Sequence, residues 1–150
     1  MRLDQYKFIA NETFASFTFN SVGPNGIIKK VINYQQVDAL ADGTPVINLG
    51  FGDWDEQKGK VDDSIISNNQ DREKILATVA STILMYTEKY GKLPIVAKGS
   101  SPAKTRLYQM GINANRTEVE NLFSVFGLLN KNWVKFESGQ NYEAFLVIRK

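Results

Sequence analysis

The chain has 150 residues with no cysteine and no histidine, which excludes disulfides, thiolate nucleophiles, Cys- or His-ligated metal and histidine-based catalytic triads. Hydrophobic residues at 43% and charged residues at 23% are the balance of a globular protein, neither disordered nor fibrous. A net charge of +2 supplies no whole-molecule field for nucleic acid, so any such binding requires a local patch.

The length fits one domain, residues 1–150, with a core of its own. The N-terminal stretch lacks the apolar run of a signal peptide, and no apolar run approaches the ~18 residues of a membrane span. The expectation is a soluble, cytoplasmic protein without membrane contact.

The first third reads as a β-meander. In "TFASFTFNS", Ala15, Phe17 and Phe19 alternate with Ser16, Thr18 and Asn20, the period of a half-buried strand. "VGPNG" supplies turn chemistry and "IIKKVINY" the return strand, so the two form a hairpin. A second turn, "DGTP", leads into "VINLGFGDW", with Ile47, Leu49 and Phe51 on one face of a third strand. An acidic loop follows, with five carboxylates between Asp53 and Asp63.

The clearest helix comes next. Asn68 or Asn69 can cap it, Asp71 falls in the first turn, and Ile75, Leu76, Val79, Ala80, Ile83 and Leu84 recur at helical spacing. Gly91 and Pro94 mark its end. "LPIVAKG" is a short central strand, and "GSSPAKTRLYQMGI" opens another helix. Thr117-x-x-Glu120 is a capping box for a third, with Val119, Leu122, Phe123 and Phe126 on one face and Gly127 as its close. The ending "NWVKFESGQNYEAFLVIRK" reads as a hairpin around Ser138-Gly139. The class is therefore α+β, a mainly antiparallel curved sheet with two or three packed helices, in the order β-β-β-α-β-α-α-β-β.

Chemistry concentrates in Lys98, Gly99, Ser100, Ser101, Lys104 and Arg106. Ser101 as N-cap and Pro102 at the first helical position account for the helix start. They do not account for the cations, which sit at the positive end of a helix dipole and are unfavourable there by roughly 0.3–1 kcal/mol each. An anion among them answers the mismatch, either a phosphate on a small molecule or nucleic-acid backbone, or a carboxylate of the chain itself or of a protein partner; plain solvation of the cations is the alternative. Tyr108, one turn beyond Lys104, is the candidate catalytic proton donor. Asp53 and Asp55 are weak candidates for a hard cation, since their spacing offers two oxygens without an EF-hand pattern. Phe14, Phe17, Phe19 and Phe51 fit core or sheet-face positions; a base-stacking platform would need them exposed beside positive charge. No cofactor is named by the sequence.

Two resemblances attach to these residues. "LGFGDWD", "GSSPAKTRLYQMGI" and "NYEAFLVIRK" resemble a family of small, functionally uncharacterised bacterial proteins with the motifs Leu-Gly-Phe-Gly-Asp and Gly-Ser-Thr-x-x-Arg-Thr-Arg-Leu-Tyr. Ser101 stands here for the Thr and Lys104 for the first Arg. The order of elements and "RLYQMGI", with Leu107-Tyr108 and Gly111-Ile112, are similar to the GNAT-type N-acetyltransferase fold. That resemblance implies an acyl-CoA-dependent transferase in which Tyr108 protonates the leaving thiolate of coenzyme A. A regulatory or toxin/antitoxin-type protein-interaction domain is the remaining class, with the basic helix start paired to Asp53, Asp55 or a partner's acidic surface.

Overall fold

A computed structural model describes residues 4–64 and 68–150. In chain order the elements are β1 (Ile9–Ala10), β2 (Ser16–Gly23), β3 (Gly26–Ala39), β4 (Pro45–Asp55), β5 (Lys60–Asp62), α1 (Arg72–Tyr90), β6 (Ile95–Ala97), α2 (Pro102–Ala114), α3 (Arg116–Leu122), β7 (Phe123–Leu129), β8 (Asn132–Lys135) and β9 (Phe145–Arg149). Among these residues the strands form one sheet in the order β1-β2-β3-β4-β6-β9-β7-β8, with β5 on the last part of β4. Every pairing is antiparallel except β4 with β6. The α+β class and the mainly antiparallel sheet follow the sequence, with β1 and β5 as additional short strands.

Register divides the side chains cleanly. Phe17 and Phe19 of β2, Ile32 and Tyr34 of β3, and Ile47 and Leu49 of β4 share one face and enter the core cluster. Helix α1 lies on that face. Its Thr82 hydroxyl is 2.8 Å from the Tyr34 hydroxyl, and Tyr86 stacks on Tyr34 with ring centroids 4.4 Å apart. Arg149 of β9 reaches the same helix, donating to the Leu84 carbonyl at 3.1 Å. Helices α2 and α3 join α1 there through Ile112 and Val119, which belong to the same cluster. Among the described residues the opposite face of the sheet carries no helix.

Four expectations are corrected. The run from Phe123 to Gly127 is strand β7, not the continuation of a helix. Phe123, Val125 and Gly127 are buried on the helix face, while Ser124, Phe126 and Leu128 are half-buried on the other. A strand with apolar residues on both faces also places them at helical spacing, so period alone could not separate the two. Helix α3 starts at Arg116 after Asn115, and Glu120 pairs with Arg116 one turn away instead of closing a box with Thr117.

The terminal hairpin turns at Asn130-Lys131, both with positive φ (50° and 67°), and joins β7 to β8. Ser138-Gly139 lies in the following loop, and β9 returns to the other edge of β7. The cap of α1 is Asp71, not Asn68 or Asn69. Asn69 is instead buried, its amide bonding the Ser21 hydroxyl and the Gly26 carbonyl, each at 3.0 Å.

Gly127 is required by close packing. A Cβ there would lie 2.2 Å from a ring carbon of Tyr142, whose ring packs on Phe136 and Phe145. Gly127→Ala is expected to lower unfolding free energy by about 1–3 kcal/mol, read as a reduced urea midpoint with unchanged m-value; a midpoint equal to wild type would contradict this packing.

Candidate functional site

Strand β6 runs into α2 through Lys98, Gly99, Ser100 and Ser101. The buried Gly99 amide donates to the Thr105 hydroxyl at 3.0 Å, and that hydroxyl donates to the Ser101 carbonyl at 3.1 Å. A Cβ on Gly99 would be 2.4 Å from the Thr105 nitrogen, so the junction closes on the helix only with glycine. Ser101 is the N-cap: its backbone is extended and its Oγ accepts the Lys104 amide at 3.2 Å.

Two further side chains of the predicted set turn towards the acidic segment. The Ser100 hydroxyl donates to the Asp63 carbonyl at 2.6 Å, and the Lys104 ammonium donates to the same oxygen. Lys104 is only 7% exposed. Burial pulls its pKa down, while the nearby Asp63 and Asp53 carboxylates oppose that shift. Lys98 and Arg106 are exposed. Tyr108 is half-buried, and burial together with the charge of Asp63 pushes its phenol up to about 12, so it stays protonated at neutral pH.

The acidic segment is a hairpin, not a loop, with β5 returning along β4. Asp53 stands opposite Lys30 on β3 and Asp62 on β5, all on the helix face at the end of the core. Lys30 Nζ is 2.5 Å from the Asp53 carboxylate, and the two residues are 4% and 8% exposed. Lys30 also lies over the Phe51 ring. Asp55 accepts the Gln57 and Lys58 amides at 3.0 and 3.1 Å. Asp62 accepts the Ser64 hydroxyl and amide, which hold its carboxyl below the usual carboxylate range. Among the described residues no group of three or more acidic side chains is arranged to hold a metal ion, and Asp53 and Asp55 have the partners just named.

Sequence reasoning missed Lys30 and the main chain of Asp63. The signal for Lys30 was present: it shares its parity along β3 with Ile32 and Tyr34, which points its side chain into the core. Nothing local marks the Asp63 carbonyl, because its two donors lie 37 and 41 residues away.

A gap opens beside this cluster. Parallel pairing of β4 with β6 ends at Leu49 and Ala97, and β5 takes over only at Asp53. Because the Ile47 amide donates to the Pro94 carbonyl, alternation turns the Phe51 main chain into the intervening gap. Separately, a groove of about 270 Å³ is bounded by Asn33, Gln35, Asn48, Phe51, Val61 and Asp63, from β3, β4 and the β5 hairpin. At the start of α1 the local anion is the chain's own. The Asp71 carboxylate accepts the Tyr6 and Ser21 hydroxyls at 2.6 and 2.5 Å.

The chain belongs to a family of unknown function (DUF6934), whose profile matches residues 2–150. No curated protein and no solved structure matches it. Among the described residues no helix is long and apolar enough to cross a membrane.

The buried Lys30–Asp53 pair gives a direct test of the site's electrostatics. Lys30→Met strands a carboxylate in the core and is expected to cost about 3–5 kcal/mol of stability, whereas Lys30→Met/Asp53→Leu recovers most of it. Denaturant titration of the single and double variants decides the matter, and an undamaged single variant would mean that Asp53 is not held by Lys30.

Proposed function

We propose that this member of a family of unknown function is a binding module for a phosphate-bearing ligand at the junction of β6 and α2. The observation that carries the reading is the pair Lys98 and Arg106. Both are exposed at the positive end of α2, and that helix has no acidic residue in its first turn. The contact of Gly99 with Thr105 brings the next residue on each side, Lys98 and Arg106, to one junction.

The first-turn Ala103 amide has no carbonyl four residues back within the helix, and the Ser101 hydroxyl proton is free to donate while its oxygen caps the helix. Lys104 supports the site from within by fixing the acidic hairpin. Lys98→Ala/Arg106→Ala is therefore expected to weaken binding of inorganic phosphate or a nucleotide at least tenfold, since charged hydrogen bonds contribute about 1.5–3 kcal/mol each. Calorimetry at two salt concentrations, with circular dichroism to check the fold, reads the effect; equal affinity in the double variant would remove the proposal.

A second reading, a GNAT-like acyl-CoA-dependent transferase, draws on a different observation. Among the described residues the one parallel strand pair ends at Leu49 and Ala97, and burial, with the charge of Asp63, raises the phenol pKa of Tyr108. A phenol that is protonated at neutral pH suits the general acid which the resemblance implies. Against it, the helix start that would face a pyrophosphate carries Asp71 and Glu73 and no glycine, and those charges repel phosphate. Under this reading acetyl-CoA binds at millimolar concentration, and Tyr108→Phe lowers turnover about 100-fold or more while leaving that affinity unchanged. Calorimetric silence of the wild-type protein with acetyl-CoA would dispose of it.

A further inference from the structure

We infer that the ligand of the α2 site is a sugar phosphate, whose hydroxyl groups are held in the groove over β3 and β4. The inference rests on the phosphate site proposed above and adds the class of molecule that carries the phosphate. Asn33 pairs with Gly50 and Gln35 with Asn48, so three carboxamides stand together on the face away from the helices and bound the groove of about 270 Å³ with Val61 and Asp63. Among the described residues the Gln35 and Asn48 carboxamides and the Asp63 carboxylate make no hydrogen bond to the chain, and Asn33 uses only its oxygen, which accepts the Ser16 hydroxyl at 2.7 Å. Gly50 keeps the floor open. An added Cβ would have the Asn33 carbonyl and the Asn48 amide nitrogen as its nearest atoms, at 3.7 and 3.9 Å, so packing does not require the missing side chain.

The groove adjoins the phosphate site at two points. Asp63, on its rim, accepts the Ser100 hydroxyl and the Lys104 ammonium through its carbonyl. Across β4, Lys98 lies one residue beyond the pair of Leu49 with Ala97, which sets it beside Gly50, and alternation with Val96 gives it the face of Asn48. From Asn33 to Lys98 is two strand spacings, about 10 Å, a span that a phosphorylated pentose or hexose can cover. Chemistry selects the sugar over a nucleobase. An ionised carboxylate only accepts and an ammonium only donates, whereas carboxamides and hydroxyls do both, so a polyol matches every group in the groove. Among the lining residues the one aromatic ring, that of Phe51, is already stacked on Phe19 at the core and offers a base no platform. Asp63 takes hydroxyl protons, which leaves the phosphate to Lys98 and Arg106.

Calorimetry on the full chain compares inorganic phosphate, ribose 5-phosphate, glucose 6-phosphate and AMP. Expected is roughly tenfold tighter binding of at least one sugar phosphate than of inorganic phosphate, the contribution of two or three neutral hydrogen bonds. Gly50→Val, which introduces a residue that strands favour, fills the groove and removes that advantage, and Gln35→Ala/Asn48→Ala removes it without adding bulk. Both variants leave the affinity for inorganic phosphate within about twofold of wild type and the circular dichroism unchanged, whereas Lys98→Ala/Arg106→Ala weakens every compound. Sugar phosphates bound no more tightly than inorganic phosphate overturn the inference and leave the phosphate site standing. So does a sugar-phosphate advantage that survives both groove variants. AMP bound about tenfold tighter than either sugar phosphate assigns the groove to a base and overturns it as well. Silence with all four compounds removes the phosphate site, and the inference with it.

Discussion

A single carbonyl oxygen, that of Asp63, ties the β4–β5 hairpin to the candidate site at the start of α2. It receives the Ser100 hydroxyl and the Lys104 ammonium. Without that tie the hairpin would be anchored only by its short pairing with β4, and the buried Lys30–Asp53 pair would lie open to water at the end of the core. Burying two lysines and an aspartate in one place is costly unless each finds a partner. The arrangement meets that demand with one ion pair and one main-chain acceptor, and among the described residues no buried side-chain polar atom is left without a partner.

The two long helices differ at their positive ends. Helix α1 begins at Asp71, whose carboxylate is at the same time the acceptor for Tyr6 and Ser21, so helix start, N-terminal segment and β2 are fixed by one group. Helix α2 begins with a hydroxyl cap and a proline, and its nearest negative charge comes from another strand. The difference is electrostatic rather than geometric: one helix start carries a carboxylate of its own, whereas at the other a neighbouring segment reaches Lys104 and leaves Lys98 and Arg106 exposed.

Much of this was legible in the sequence, and the failures have physical causes. The first hairpin, β4, α1, β6 and the cap of α2 announce themselves through local chemistry: alternation, Asn-Gly and Asp-Gly turns, and Ser-Pro at a helix start. Strand β7 did not, because burial on both faces erases the period that distinguishes strand from helix. The turn at Asn130-Lys131 carries little local signal because lysine seldom adopts positive φ, while Ser138-Gly139 has the better turn composition. In the candidate site the residue types were visible but their partners were not. That Lys104 faces a main-chain carbonyl, and that Asp53 belongs to Lys30, depends on contacts between distant segments.

The parallel pairing of β4 with β6 is a seam in the sheet. Among the described residues, Ile47–Leu49 against Ile95–Ala97 is the sole strand pairing between the β1–β5 part of the sheet and the β6–β9 part. Its partners are separated in sequence by the acidic hairpin and all of α1, so it closes late in folding, after the local hairpins on either side have formed. The same seam is the natural place for the two parts to part first under stress, with exchange of its amides preceding that of the strands flanking it. Anything held between them would act as a clasp, shifting the opening equilibrium in proportion to its occupancy.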